Sequence, residues 1–227
     1  MTGPAAQPAA HPAPADARTV HPIEVESYTI LRRRVDTSHL PPLTRAVVER
    51  VVHSSADLEY VTDLVTDEAA LAAGQAALLA GAPLVVDAEM VRSGITSRDS
   101  CCRVRHERTA ALAASDGLTR SAAAFRLLAD EVGPGAVWVV GNAPTALFEL
   151  LELADRVRPA LVVGLPVGFV GAAESKLALR SSGLPAVSNR SEKGGTAVAA
   201  AAVNALLYAP LAGSPLTTTT PSALEGR

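Results

Sequence analysis

His53 is the side chain in this sequence best suited to move a proton. It lies in Arg50-Val-Val-His-Ser-Ser-Ala-Asp57, at the end of a stretch with an apolar helical face and before small polar residues. Imidazole ordinarily titrates near about 6.5, so it exchanges protons at neutral pH. No second histidine lies nearby, so the setting suggests acid–base chemistry or a structural histidine rather than a metal ligand. His11, His21, His39 and His106 have less suggestive neighbours. A second candidate is Asp87-Ala-Glu89, where two carboxylates leave an apolar run together. They could form an acid/base pair. Equally, Asp87 could cap the next turn and Glu89 could lie near a helix dipole. The two cysteines, Cys101 and Cys102, are adjacent. Neighbouring cysteines strain a disulfide ring, so two reduced thiols on a strand are expected, with no cysteine-rich zinc site.

Of three further loops, the first and last suit an anion, although the first could equally be an ordinary turn from strand to helix. Gly141-Asn-Ala-Pro-Thr-Ala-Leu147 has a glycine for a tight strand exit and Pro144 for the first turn of a helix, where no amide hydrogen is needed. The free N–H groups of such a helix start, around Asn142 and Thr145, attract negative charge. Gly164-Leu-Pro-Val-Gly168-Phe-Val-Gly171-Ala-Ala-Glu-Ser-Lys176 also opens a helix. Its glycines miss the Gly-x-Gly-x-x-Gly spacing of a dinucleotide site, and it is not a Walker loop. The expected role is a glycine-lined floor around Gly168 under a bulky flat ligand; packing of helix on sheet is the plainer alternative. Lys193-Gly194-Gly195-Thr196 places a cation and two glycines before the last helix, with Thr196 as the expected N-cap. Arg120 and Arg190 add cations to the loop set, although each alone would pass for a solvated surface charge.

These loops need a scaffold. Short β-branched runs at Pro83–Asp87, Val137–Gly141, Ala160–Gly164 and Pro185–Ser188 read as buried parallel strands, with Cys101–Arg105 as a fifth candidate. Helical stretches near 67–80, 119–131, 144–156, 172–182 and 196–207 alternate with them. The predicted fold class is α/β, a Rossmann-like parallel sheet with helices on both faces. Residues 22–66 add an N-terminal segment of two or three helices, with Val47, Val48, Val51 and Val52 on one face. In such sheets ligands bind beyond the carboxyl ends of the strands, where these loops lie.

Composition narrows the function. The 227 residues are 48% hydrophobic, enough for a sizeable core, but only 3% aromatic, and the net charge is −3. A nucleic-acid binder would show a basic stripe with interleaved aromatics, so no nucleic-acid partner is expected. The apolar run near 197–207 is too short to span a bilayer and includes Asn204, so no membrane association is expected. No signal-peptide pattern opens the chain, and a cytoplasmic protein is expected. Residues 1–20, rich in Ala and Pro, read as a disordered extension, 21–208 as a single domain, and 209–227 as a flexible tail.

Taken together and in order, His53-Ser-Ser-Ala-Asp57, Asp87-Ala-Glu-Met-Val91, Thr119-Arg-Ser-Ala122, Gly141-Asn-Ala-Pro-Thr-Ala-Leu147, the long Gly164–Lys176 string and the Gly-Gly-Thr helix start resemble the precorrin-8X methylmutase family of cobalamin biosynthesis. The resemblance covers about residues 22–208. It implies an isomerase that moves a methyl group from ring carbon 11 to 12 of precorrin-8X, giving hydrogenobyrinate by an intramolecular 1,5-sigmatropic shift. It implies no cofactor and no metal. It implies His53 as the acid/base residue, Ser27 and Arg120 in substrate binding, and a homodimer with sites near its interface. The partner would be a tetrapyrrole (corrinoid) bearing many carboxylates, which agrees with the cations and helix starts at Arg120, Asn142, Thr145, Lys193 and Gly194 around a broad pocket, and with a flat floor at Gly168. Alternatives are a cobalt-precorrin-8 methylmutase, a non-catalytic corrinoid carrier, or a nicotinamide-dependent oxidoreductase, the last disfavoured by the glycine spacing.

Overall fold

Four of the five apolar runs form the strands of one sheet. The computed structural model describes residues 21–209; the expected 1–20 extension and the tail from 210 onward lie outside them. The parallel strands are β2 (Leu84–Val86), β3 (Val137–Val140), β4 (Leu161–Gly164) and β5 (Ala186–Asn189), with β1 (Leu64–Val65) antiparallel on the β5 edge, in the order β1-β5-β4-β3-β2. Register pairs Val85 with Trp138, Trp138 with Val162, and Val163 with Val187.

Alternation along the strands makes two cores. Val86, Val139, Val163 and Val187 face one side with residues of α2 (Pro42–Ser55), α4 (Glu68–Leu79) and α11 (Thr196–Tyr208). Val85, Trp138, Val140 and Val162 face the other with α7 (Arg120–Val132), α8 (Pro144–Glu152) and α10 (Ala172–Ser181). Such a period of two with both faces covered is what a buried sheet requires. The α/β expectation with helices on both faces therefore holds. Trp138 meets Phe125 edge to face with centroids 4.9 Å apart, and both are fully buried. Each such side chain adds roughly 1.5–3 kcal/mol of burial. The N-terminal helical segment is α1 (Pro22–Arg34), α2 and the short α3 (Tyr60–Asp63). The valine face of α2 is buried as expected, with Val47 and Val51 fully enclosed.

Two local expectations are corrected. Cys101–Arg105 is not a strand: only Cys101 bridges to Val85. After it the chain turns outward, where Arg103 pairs with Glu131 at 3.0 Å and its carbonyl accepts from the Thr109 hydroxyl. The fifth strand is instead β1. Asp63, just before it, accepts from Arg190 N–H, Ser191 N–H, the Ser191 hydroxyl and Asn189 Nδ2, which fixes the antiparallel edge. Thr196 is also not an N-cap. Gly195 holds that position at φ 124°, with no side-chain cap, because the backbone here passes close to the β4 loop. Between β2 and α7 lie α5 (Glu89–Gly94) and α6 (Glu107–Asp116); α9 (Ala154–Val157) precedes β4. Cys101 and Cys102 are free thiols, and burial pushes Cys102 up to about 11. No helix of the described residues is long and apolar enough to cross a membrane.

Candidate active site

His53 occupies the last turn of α2 and faces α1. The valine face of α2 turns towards the core, and the next polar position falls at the helix edge. There the His53 Nδ1 and the Ser27 hydroxyl share a hydrogen bond of 2.8 Å. Tyr28 stacks on the imidazole, with centroids 5.0 Å apart and planes 7° from parallel. Two neighbours on α1 thus set the ring's position and rotation. The hydroxyl bond selects which ring nitrogen is left over, and Nε2 makes no hydrogen bond among the described residues. A cleft of about 110 Å³ opens beside it, lined by Ser27, Ile30, Leu31, Arg34, Val52 and His53, with Ala56 and Leu58. Arg34 is exposed and makes no ion pair among the described residues. A carboxylate entering this cleft therefore meets an unpaired guanidinium next to an oriented imidazole.

The chain leaves α2 through Ala56 in the left-handed region, φ 54°, a conformation that costs a non-glycine residue about 1 kcal/mol. This sharp exit delivers Asp57 and Glu59 to Lys193. The ammonium lies 2.6 Å from Asp57 and also pairs with Glu59. The hydrogen bond from Lys193 holds the Asp57 carboxyl below the usual carboxylate range. The same partners hold Lys193 above the usual lysine range. The cation expected to receive a ligand anion already has two carboxylates, so its main observed role is to tie the 192–195 loop to the segment after His53.

That loop in turn packs on the glycine floor. Gly168 N–H donates to the Glu192 carbonyl at 3.2 Å, and Gly195 N–H donates to the Leu165 carbonyl at 2.9 Å. Gly194 sits at φ 157°, and a β-carbon there would collide with the carbonyl oxygens of Leu165 and Pro166. Gly194 thus serves a close approach of backbones. Gly168, at φ 142°, opens a tip on which Phe169 is 97% and Val170 89% exposed.

At the end of β3 the expected anion is supplied by the protein itself. The buried Asp87 carboxylate accepts from Gly141 N–H at 3.0 Å, Asn142 N–H at 2.9 Å and Ala143 N–H at 2.8 Å. Burial pushes this carboxyl up, against three amide donors that favour its ionised form. These amides are therefore not free for a ligand, and Asp87 is structural, but not by capping the next turn as expected: Ala88 holds the N-cap position of α5 without a side-chain cap, and Asp87 instead ties down the turn after β3. Glu89 lies 3.6 Å from Arg92. Asn142 and Thr145 remain with exposed side chains. The Thr145 and Thr119 hydroxyls are 2.7 Å apart. Thr119 accepts from Ala122 N–H and so caps α7, which places Arg120 at the first turn. Arg120 is exposed and free of ion pairs among the described residues.

The structure thus brings Ser27 to His53, Lys193 to the loop after His53, Gly168 to the Lys193–Gly194 loop, and Thr145 to the helix start that carries Arg120. No hydrogen bond of the described residues joins His53 to Arg120, Asn142, Thr145 or Gly168. Sequence reasoning missed Tyr28, Arg34, Asp57 and Glu59. The Asp57 position four residues past His53 was a signal, but its partner lies 136 residues away. Among the described residues no group of three or more His, Cys, Asp or Glu side chains could hold a metal ion.

Known proteins resemble this chain in sequence and in fold. A family model described as precorrin-8X methylmutase matches residues 22–209. A precorrin-8X methylmutase of Pseudomonas aeruginosa is 44% identical over 191 residues, covering 80% of this chain and 91% of the relative. A cobalt-precorrin-8 methylmutase of Methanocaldococcus jannaschii is 41% identical over 163 residues, covering 71% of this chain and 77% of the relative. The crystal structure of a precorrin-8X methylmutase from Thermus thermophilus superimposes with a TM-score of 0.75 at 34% identity, covering 82% of this chain and 96% of that one. The chain belongs to the precorrin-8X methylmutase family.

Proposed function

We propose that this protein converts precorrin-8X to hydrogenobyrinate by moving a methyl group from ring carbon 11 to ring carbon 12. The observation that carries the reading is the His53–Ser27 pair, stacked on Tyr28 beside the exposed Arg34, in a chain of this family. The shift is intramolecular: the bond at carbon 11 breaks as the bond at carbon 12 forms, and no electrons are exchanged with another molecule. The protein has two tasks. His53 places a proton on the macrocycle, or removes one, through Nε2, while Ser27 holds Nδ1; positioned acid–base groups of this kind contribute about 10²–10⁴-fold. The loops hold the ring in reactive geometry, with Arg34 and Arg120 taking peripheral carboxylates and Asn142 and Thr145 offering hydrogen bonds. Gly168 and Gly194 shape the floor. Lys193 acts on substrate only through its loop.

A macrocycle bearing many carboxylate arms exceeds a cleft of about 110 Å³, since sites for smaller, drug-sized ligands run about 300–1,000 Å³. This favours a homodimer whose partner enlarges the site, and the exposed Phe169 and Val170 offer apolar surface for it or for the ring. The working unit is the single domain 21–208, acting in the cytoplasm. Relatives named for both metal-free and cobalt-bearing substrates match at similar identity, so the metal-bearing substrate is the second reading.

The test is an absorption time course under argon with catalytic protein and excess precorrin-8X. Conversion to hydrogenobyrinate over many turnovers is expected. Conversion of cobalt-precorrin-8 alone would change the substrate, and binding without turnover of either would leave a corrinoid carrier.

A further inference from the structure

Lys176 is a fully buried lysine with no carboxylate partner among the described residues. It lies on α10, on the turn after Ala172 that packs under the strand ends. Its Nζ donates to four oxygens: the Pro166 carbonyl at 3.2 Å, Asn189 Oδ1 at 2.9 Å, the Ser191 carbonyl at 2.5 Å and the Lys193 carbonyl at 2.6 Å. An ammonium has three N–H donors, so four acceptors fully enclose it. A neutral amine would keep only two donors and turn its lone pair towards carbonyl oxygens. Burial pushes Lys176 down to about 8 and Arg180 adds to the shift, whereas Asp63 and Glu192 oppose it. The oxygen cage adds a local reason for the charged form.

The cage is not one element but three. Pro166 belongs to the glycine floor after β4, Asn189 ends β5, and Ser191 and Lys193 belong to the loop that reaches Asp57 beyond His53. Asn189 Nδ2 also donates to the Lys193 carbonyl and to Asp63. The charge on Lys176 is therefore the common anchor of both loops proposed to hold the ring. Without it, the Pro166 carbonyl would lose its donor, and the Ser191 and Lys193 carbonyls would keep only Asn189 Nδ2.

We propose that Lys176 is a positioning residue for the reaction: its buried ammonium clamps the 165–168 and 191–195 loops into one rigid floor. This rests on the methylmutase reading above. It concerns a charge that never touches substrate.

The test compares wild type with Lys176→Met, which keeps much of the stem volume, and Lys176→Ala, using folding by circular dichroism, kcat and KM with precorrin-8X, and amide exchange of the two loops. Both variants are expected to lose about 100-fold in kcat, the scale of a misplacement of about 1 Å, and to exchange amides of both loops faster. In Lys176→Ala, added n-propylammonium should restore at least a tenth of the activity, and n-propanol of equal length should not. Equal rescue by both would show that Lys176 fills space only and would overturn the proposal. Unchanged exchange and kcat in Lys176→Met would do the same. Should Lys176→Ala not fold, Lys176→Met with the exchange measurement decides. If the wild type turns over no corrinoid, the methylmutase reading fails on that control, and exchange alone still decides whether the ammonium couples the loops.

Discussion

His53 and Asp87 stand at the ends of an apolar helix and an apolar strand, and both were candidates for acid–base work. They have opposite surroundings. His53 is half-buried, held by one hydroxyl and one aromatic face, and lines a cleft with the exposed Arg34. Asp87 is fully buried, and three backbone amides take both its oxygens. The difference separates a group with an atom left to meet a ligand from a group wholly engaged by the fold. A reactive side chain needs orientation on one atom and freedom on another. A structural one is engaged on every atom it has. By the same standard Lys193, paired with Asp57 and Glu59, sits on the structural side of the line and Arg120 on the ligand side.

The contrast can be broken most severely at Asp87. Asp87→Ala leaves three amides without an acceptor, and unsatisfied buried groups cost roughly 1–3 kcal/mol each. A loss of about 3–5 kcal/mol in urea unfolding is expected; a loss under 1 kcal/mol would mean that the turn finds other partners. A similar contrast appears in acid. Burial opposes ionisation of Glu49, but hydrogen bonds from Arg32, Thr37 and Arg45 outweigh it and hold the carboxyl at about 2. Its unfolded value lies higher, so this stabilisation is complete above pH about 4.5 and is lost as pH falls from there through about 2, up to roughly 3 kcal/mol in all. Glu49→Gln should flatten the acid limb of a stability–pH curve. At the site, Ser27→Ala removes one hydrogen bond and should lower kcat about tenfold with little change in stability. The smallest effect is expected for Ala56→Gly, which relieves a left-handed backbone and should stabilise by about 0.5–1 kcal/mol, read as a raised urea midpoint.

How much was legible follows the same division. The strands β2 to β4 were readable because each is a short run rich in valine closed by Gly or Asp, and β5 because Pro185 opens a short apolar run. The strand β1 was not, since two residues carry no periodicity and its register is set by Asp63 reaching Ser191. Cys101 and Cys102 looked like a strand by composition, but after them the chain turns outward, where Arg103 pairs with Glu131. His53 was legible as a candidate proton carrier, and its contact with Ser27 only through family likeness, since 26 residues and a helix crossing separate the two. The charge of Lys193 was legible, and its pairing was not. The glycines were legible as close approaches, but at Gly194 the approaching group is a carbonyl of this chain. Local pattern announces which atoms a residue offers; only the fold decides which of them are already taken.

The account rests most directly on His53 as a group that moves a proton without holding the substrate. The decisive measurement is kcat of His53→Ala with precorrin-8X, taken alongside the affinity of the same variant for hydrogenobyrinate. A fall in kcat of about 10²–10⁴-fold with product affinity within a few-fold of wild type is predicted. Unchanged kcat, or a loss of affinity that accounts for the whole defect, would contradict it.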